Sequence, residues 1–323
     1  MVGRAKNVGM DGKPLKTALH HWWPRGLSEL WGDEEGKVTR VSWDGKTLRA
    51  PPKQFGAITN AHHVKLSGPW AGSIEPLFDD ADSVLPSLAV KLEKLSYVDG
   101  KVSAGIDKRI TPHEITSDDR KLLGEGLASL LVRCPAHRNQ LHLKSESFWG
   151  RTGDQVRKHD DTLIALNIHQ HYRQVVKSLE RGGKIVLLRS GEREFIMGEG
   201  YLNTLLGYTV ELRYHCLVPL TPTLAVLSFA SHSYRINPPI CTIGLTDAEV
   251  NLINDVTQAY SRDCIFYRKE APKLIDAFRA REYRIARYQR FDWLDAVMHI
   301  VATTPLQSGD LRGGNLESGP HRL

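Results

Sequence analysis

The stretch TALHHWWPRGL, residues 17–27, places two imidazoles beside two tryptophans, a proline and an arginine. A neutral imidazole serves as a general base or as a metal ligand near pH 7. Pro24 cannot sit inside a helix, so we expect a turn here that holds His20 or His21 in a defined direction. The alternative is a packing role, in which the tryptophans fill the core and a histidine bonds a backbone carbonyl.

Glu199 is the candidate carboxylate, because it follows an apolar run that we predict as a strand. Loops at strand ends commonly present functional side chains. A carboxylate at this place could pair with His21, or with the arginines of the next paragraph. The alternative is an exposed acid in a glycine turn.

Arg133 and Arg138 flank Pro135 in the middle of the chain. Guanidinium groups donate in a planar fork that suits a phosphate, so these two arginines are the predicted anion-binding pair. The alternative is a structural ion pair with Glu75 or Asp79.

Asn60, His62 and His63 form a second polar group. Successive side chains of a strand point to opposite faces, so we expect at most one of the two histidines to share a site with His21. His63 and Glu75 are the secondary candidates from this part of the chain.

A final long helix is predicted over residues 272–301, with one face that carries Arg279, Tyr283, Arg287 and Arg290. Arginines around a tyrosine can grip a phosphate backbone and stack a base, so this face is the candidate nucleic-acid contact. A solvated face of an amphipathic helix is the alternative.

The elements that must position these groups run in the order strands, helices, strands, helices, which predicts an α+β fold rather than an alternating parallel sheet. Residues 36–50 predict a β-hairpin with its turn at Asp44–Gly45, and AHHVKL predicts a short strand. We predict helices from residue 74, from Thr116 or Ser117 with a kink or break at Pro135, and over residues 160–179. A C-terminal mixed or antiparallel sheet then includes KIVLLRS, REFIMG, RYHCLVPL and LAVLSFA, before a helix with a Thr246–Glu249 capping box.

Residues 1–16 are predicted to be a flexible lead-in, residues 17–302 a single domain with a sub-boundary near 182, and residues 303–323 a disordered tail. The net charge of +6 favours anionic partners, nucleic acid among them. No apolar run is long enough to span a bilayer, and the four cysteines form no CxxC pair, so we expect a cytoplasmic protein without a membrane partner. The sequence identifies no cofactor; a divalent metal ion stays open.

The segment HHWWPRGLSELWGDEEGKVTRV resembles the N-terminal signature of the bacterial family called domain of unknown function 4238, with His21, Pro24, Leu27 and Trp31 at the matching positions. His21 holds the family's histidine position, so the resemblance makes it the first candidate and His20 the second. Further matches follow in the family's order over residues 19–270: Glu75 in SIEPLF, the Arg-x-Pro segment in LLVRCPAHR, and FIMGEGYL followed by PLTP.

The clearest departure from the family is at the strand end, where its Ser-Asp-x-Pro is replaced by Gly198–Glu199–Gly200–Tyr201. If the family's aspartate is catalytic, this departure predicts an altered or inactive site. The family has no settled function that the resemblance could transfer.

Two functions from different classes follow. The first is a hydrolase acting on a phosphodiester or another anionic substrate, with His21 as base or ligand, Glu199 as its carboxylate, and Arg133 and Arg138 on the anion. The second is a non-catalytic module that binds nucleic acid or protein through the Arg279 face, in a bacterial defence or stress system. A third interpretation is purely structural: the His/Trp/Pro segment packs in the core and takes part in neither catalysis nor binding. No Walker loop, dinucleotide-binding glycine fingerprint, nucleophile elbow or zinc-ribbon spacing is visible.

Overall fold

The computed structural model describes residues 16–64, 72–103, 105–149, 160–180, 183–204, 215–229, 240–282 and 292–303. The predicted lead-in up to residue 15 and the predicted tail from residue 304 lie outside the described residues.

The strands are short, with the longer ones in the second half of the chain. They are β1 (Leu19–His21), β2 (Val38–Ser42), β3 (Thr47–Ala50), β4 (Ala57–Thr59), β5 (His63–Val64), β6 (Gly72–Ser73), β7 (Ile110–His113), β8 (Lys184–Arg189), β9 (Met197–Gly198), β10 (Leu202–Asn203), β11 (His215–Thr221), β12 (Leu224–Phe229), β13 (Ile240–Gly244) and β14 (Cys264–Tyr267).

The helices lie mostly in the first half and the middle of the chain. They are α1 (Arg25–Glu29), α2 (Asp79–Glu93), α3 (Ser117–Arg133), α4 (Pro135–Trp149), α5 (Asp160–Glu180), α6 (Asp247–Ala259), α7 (Asp276–Arg279) and α8 (Asp292–Thr303). Short 3-10 helices occupy Pro52–Gln54, Glu75–Leu77 and Ile106–Arg109.

Within the described residues, the larger sheet has six strands in the order β10-β11-β12-β8-β13-β7. The pairing is antiparallel except between β8 and β13, which are parallel, so the sheet is mixed. A smaller sheet has the order β3-β2-β14-β9, and two-stranded pairs join β1 to β4 and β5 to β6. The α+β prediction is confirmed.

The main hydrophobic core extends from the N-terminal aromatic segment to α8 and contains the sheet strands β8, β11 and β12. Trp22, Trp23 and Trp31 are buried in it, and the Trp31 indole donates a hydrogen bond to the Leu220 carbonyl at 2.9 Å. The predicted packing role of the tryptophans is therefore confirmed.

Local signals place several elements where we predicted them. Gly45 has a φ of 83° in the turn between β2 and β3, which a residue with a side chain rarely adopts. The Thr116 side chain caps α3, and Thr246 and Glu249 form a capping box at the start of α6. The chain breaks between α3 and α4 at Pro135, as predicted.

The predicted continuous helix over residues 272–301 is wrong. Helix α7 ends at Arg279, and Arg281 has a φ of 55°, a left-handed conformation that no helix interior accepts. The next helix among the described residues is α8. Tyr283, Arg287 and Arg290 lie outside the described residues, so the proposed arginine face reduces here to Arg279 at a helix end.

Seven of the described strands lie where the sequence predicted none: β1, β4, β6, β7, β10, β13 and β14. Two of them, β7 and β13, pair with each other at one edge of the larger sheet. Neither segment carries a long apolar run, and only the antiparallel pairing with a distant segment makes β7 a strand.

Among the described residues, no helix is both long enough and apolar enough to cross a membrane.

Candidate acid–base site

A tight turn after β4 brings the two histidine pairs of the sequence together. Strand β1 pairs with β4, and Asn60 follows β4 in the left-handed region with a φ of 55°. The Asn60 amide donates to the Ala18 carbonyl at 2.8 Å, and its side-chain oxygen accepts from the Ala18 amide at 3.0 Å. The His63 amide closes the turn on the Asn60 carbonyl at 3.1 Å. The turn therefore returns the chain to β1 with both His62 and His63 beside it.

His20 contacts both histidines. Its ring stacks on that of His62 with centroids 4.9 Å apart and meets that of His63 edge-on at 4.5 Å. All three side chains are buried. Both histidines lie against His20, because His62 is a turn residue that precedes β5 and does not follow the alternation of a strand. Our expectation that at most one of them shares a site with His21 stays a prediction.

Glu75 is the carboxylate of this cluster. It opens a 3-10 helix, and the Ile74 amide beside it donates to the His62 carbonyl at 2.9 Å. The His62 Nδ1 contacts Glu75 Oε2, and the Glu75 side chain is 33% exposed. The Glu75 carboxyl is therefore accessible to solvent on one side and contacts the His62 imidazole on the other.

Burial determines the charge state of the cluster. It raises the pKa of Glu75 above its usual value, although the charge of Arg133, and those of His20, His21 and His63 in their protonated forms, act in the opposite direction. Burial lowers the pKa of His20 to about 4 and the pKa of His63 below its usual value. The pKa of His62 is lowered further, by burial and then by the charges of Arg133 and Arg138. The buried imidazoles are therefore neutral at pH 7.

The hydrogen bonds also fix two tautomers. The His62 backbone amide donates to His20 Nδ1 at 3.0 Å, so neutral His20 carries its proton on Nε2. Neutral His62 donates from Nδ1 to the Glu75 carboxylate when Glu75 is ionised. The cluster is an ordered acid–base network of three imidazoles around one carboxylate.

His21 lies at the rim of this cluster. Its side chain is half-buried, and in its protonated form it acts electrostatically on the Glu75 carboxyl. The carboxyl within electrostatic reach of His21 is therefore that of the secondary candidate Glu75. Glu75 is 54 positions further along the chain, so local spacing carried no signal for this proximity.

Arg133 binds the backbone of the His21 segment from the protein interior. It is fully buried, forms an ion pair with Asp82 through two nitrogens, and donates to the His21 carbonyl at 2.9 Å. Its guanidinium also stacks 4.5 Å from the centre of the Phe78 ring. The structural ion pair that we had weighed exists, but its acid is Asp82, one helical turn beyond Asp79.

Arg138 has a matching role on the other side of the Pro135 break. Its Nη1 donates to the Ala61 carbonyl at 2.7 Å, next to His62. The two arginines thus hold the backbone of the two histidine segments, and their charges reach the imidazoles without taking an exposed position.

Glu199 belongs to a different place. Its Oε1 accepts from the backbone amides of Arg262 at 2.7 Å and Asp263 at 2.5 Å, and its Oε2 lies 3.8 Å from Cys264 Sγ. Its side chain is buried, and burial raises its pKa. The predicted pair with His21 is wrong, and so is the alternative of an exposed acid, because Glu199 anchors the turn before β14.

The Glu199 turn nevertheless supports the candidate site indirectly. The Ala136 amide at the start of α4 donates to the Glu199 carbonyl at 3.1 Å, between Arg133 and Arg138. Gly200 is required there, since an added Cβ would lie 2.0 Å from the Tyr260 carbonyl oxygen.

A metal ion has no evident place in the cluster. No group of three or more His, Cys, Asp or Glu side chains in the part of the chain that the structure describes is arranged to hold one. Hydrogen bonds already occupy the Nδ1 atoms of His20 and His62.

No protein-family model, curated protein or solved structure matches the chain. The resemblance drawn from motif order stays a prediction.

Proposed function

We propose that the chain is a hydrolase that uses the Glu75 cluster for general acid–base catalysis on a phosphodiester or another anionic substrate. The observation that carries the proposal is the Glu75 carboxyl, which is partly exposed and surrounded by ordered imidazoles. A carboxyl of raised pKa beside imidazoles is typical of an acid–base centre.

In this proposal the ionised Glu75 takes a proton from the attacking water, whose oxygen forms the new bond to phosphorus. His21 donates a proton to the leaving oxygen as its bond to phosphorus breaks. His62 orients the Glu75 carboxylate from the buried side. The chain's net charge of +6 favours an anionic substrate.

The test is cleavage of labelled single- and double-stranded RNA and DNA, with magnesium, manganese or a chelator. We expect Glu75→Gln to lower the rate about 100-fold or more, the usual contribution of a general acid or base, and His21→Ala to lower it by a similar factor. Glu34→Gln, at an exposed acid in the turn before β2, is the matched control and should cleave like the wild type.

Circular dichroism and thermal melting establish that each variant is folded. Absence of cleavage by the folded wild type on every substrate contradicts the hydrolase proposal for nucleic acids. Equal cleavage by the wild type and Glu75→Gln contradicts the assignment of the site.

The binding-module alternative depended on a continuous arginine face. Because α7 ends at Arg279, no observation among the described residues favours it.

A further inference from the structure

Four of the described arginines are buried. Arg109 and Arg133 are fully buried, Arg189 is 8% exposed, and Arg138, which donates to the Ala61 carbonyl, is 9% exposed. Arg109 binds Glu249 through two nitrogens at 2.7 Å each and also donates to the Gly244 carbonyl at 2.7 Å. Arg133 has its pair with Asp82. A buried guanidinium is normally stabilised in this way.

Arg189 differs from the other three buried arginines. Its Nε and Nη1 atoms are buried and have no hydrogen-bond acceptor among the described residues. Its guanidinium lies over the Tyr97 ring, 5.1 Å from the centroid. The charge of Glu93 acts on it, but the two described side chains form no ion pair, and Glu93 instead accepts hydrogen bonds from the Thr221 and Thr223 hydroxyls. Burial without a paired carboxylate lowers the pKa of Arg189.

Arg189 also occupies a distinctive place in the fold. It is the last residue of β8, opposite Gly244 at the end of β13, which is the parallel pair of the larger sheet. Ligands of open sheets bind where parallel strands end and their connections diverge. A Cβ on Gly244 would lie 2.1 Å from the Val98 carbonyl oxygen, so this glycine lets residues 97–98 pass directly over the strand end beside Arg189.

We infer that Arg189 binds the carboxylate group of a small ligand at this end of the sheet. Two guanidinium nitrogens without acceptors match an oxyanion, and a carboxylate is the partner of the two fully buried arginines, Arg109 and Arg133. A single negative charge on the ligand balances the charge of Arg189. The nearby Glu93 repels a dianion such as phosphate more strongly than it repels a monoanion. This site is separate from the Glu75 cluster and does not depend on the proposed hydrolase activity.

The experiment measures the Tm of the full chain in sodium acetate, sodium phosphate and sodium chloride at equal ionic strength. We expect acetate at about ten times its Kd to raise the Tm by about 2–4 °C relative to chloride, and phosphate to raise it less. Arg189→Met should abolish the rise. The Tm of Arg189→Met in chloride should be no lower than that of the wild type, because the substitution leaves no described carboxylate without an ion-pair partner.

Two arginine variants are matched controls. Arg193→Met removes a partly exposed arginine of the adjacent loop, which pairs with Glu270, and should keep the acetate response. Arg133→Met leaves Asp82 without its partner, so its Tm in chloride should fall.

A fourth variant keeps the inference testable if Arg189→Met does not fold. Glu93→Gln retains an oxygen for the two threonine hydroxyls and removes the repelling charge, so it should bind acetate more tightly than the wild type. An equal or smaller acetate response in Glu93→Gln would contradict the charge balance proposed for the site.

Three further outcomes overturn the inference. The first is an equal acetate response in the wild type and Arg189→Met, or none in the wild type. The second is a larger response to phosphate than to acetate. The third is a lower Tm for Arg189→Met in chloride with no acetate response in the wild type, which would mean that the chain itself supplies the carboxylate.

Discussion

Glu75 and Glu199 are both largely surrounded by protein, and burial raises the pKa of both. Their neighbours differ in kind. Glu199 is held by two backbone amides, which cannot change their protonation state, whereas Glu75 is surrounded by imidazoles, which can. A carboxyl held by amides stabilises a turn, and a carboxyl among imidazoles can exchange protons with them. The contrast supports a structural role for Glu199 and the acid–base role that we propose for Glu75.

Acid should weaken the imidazole region most. The unfolded chain protonates histidines at about pH 6.5, while folded His20 stays neutral until about pH 4 and His62 has a still lower pKa. The unfolded state therefore binds more protons below pH 6.5, and the free energy of unfolding should fall by about 2–4 kcal/mol between pH 6.5 and pH 5. Urea unfolding at a series of pH values measures this loss.

Two carboxyl groups oppose this loss of stability. Burial of ionised Glu75 and Glu199 destabilises the folded state, and this destabilisation disappears as the two groups are protonated at lower pH. His20→Gln removes one titrating ring but keeps an acceptor for the His62 amide, so it should roughly halve the loss. A variant whose profile matches the wild type would remove His20 from the explanation.

Replacing Glu199 should have the next largest effect. Glu199→Ala leaves the amides of Arg262 and Asp263 without their acceptor, and we expect it to lower the free energy of unfolding by about 2–3 kcal/mol. Glu199→Gln retains one acceptor oxygen and should lose less. Urea unfolding at pH 7 makes the comparison, and an alanine variant as stable as the wild type would show that the turn does not need the carboxylate.

Asn60 gives the smallest and most local test. Asn60→Ala places a side chain without an acceptor at a φ of 55° and removes the bond to the Ala18 amide, so a loss of about 1–2 kcal/mol is expected. Asn60→Gly tolerates that backbone conformation and should lose less. Unfolding of the two variants side by side separates the conformation from the hydrogen bond, and equal losses would mean that the bond alone matters.

The sequence by itself determined the features that depend on neighbours in the chain. The turn at Gly45, the cap at Thr116, the break at Pro135 and the capping box at Thr246 each involve groups a few residues apart, so the residue types decide them. The apolar character of Trp22, Trp23 and Trp31 predicts their burial, although Trp43, of the same residue type, is 38% exposed.

Only the tertiary structure decided which charged groups meet. Glu75 lies 54 positions from His21 in the sequence, and nothing local distinguishes Glu75 from Glu199 as the carboxyl within electrostatic reach of His21. The left-handed turn at Asn60 and the break at Pro135 direct separate segments to one place, where burial then sets the charges. The pairing of distant side chains depends on how segments pack, because packing energies are summed over the whole core and are not encoded in the spacing of any single motif.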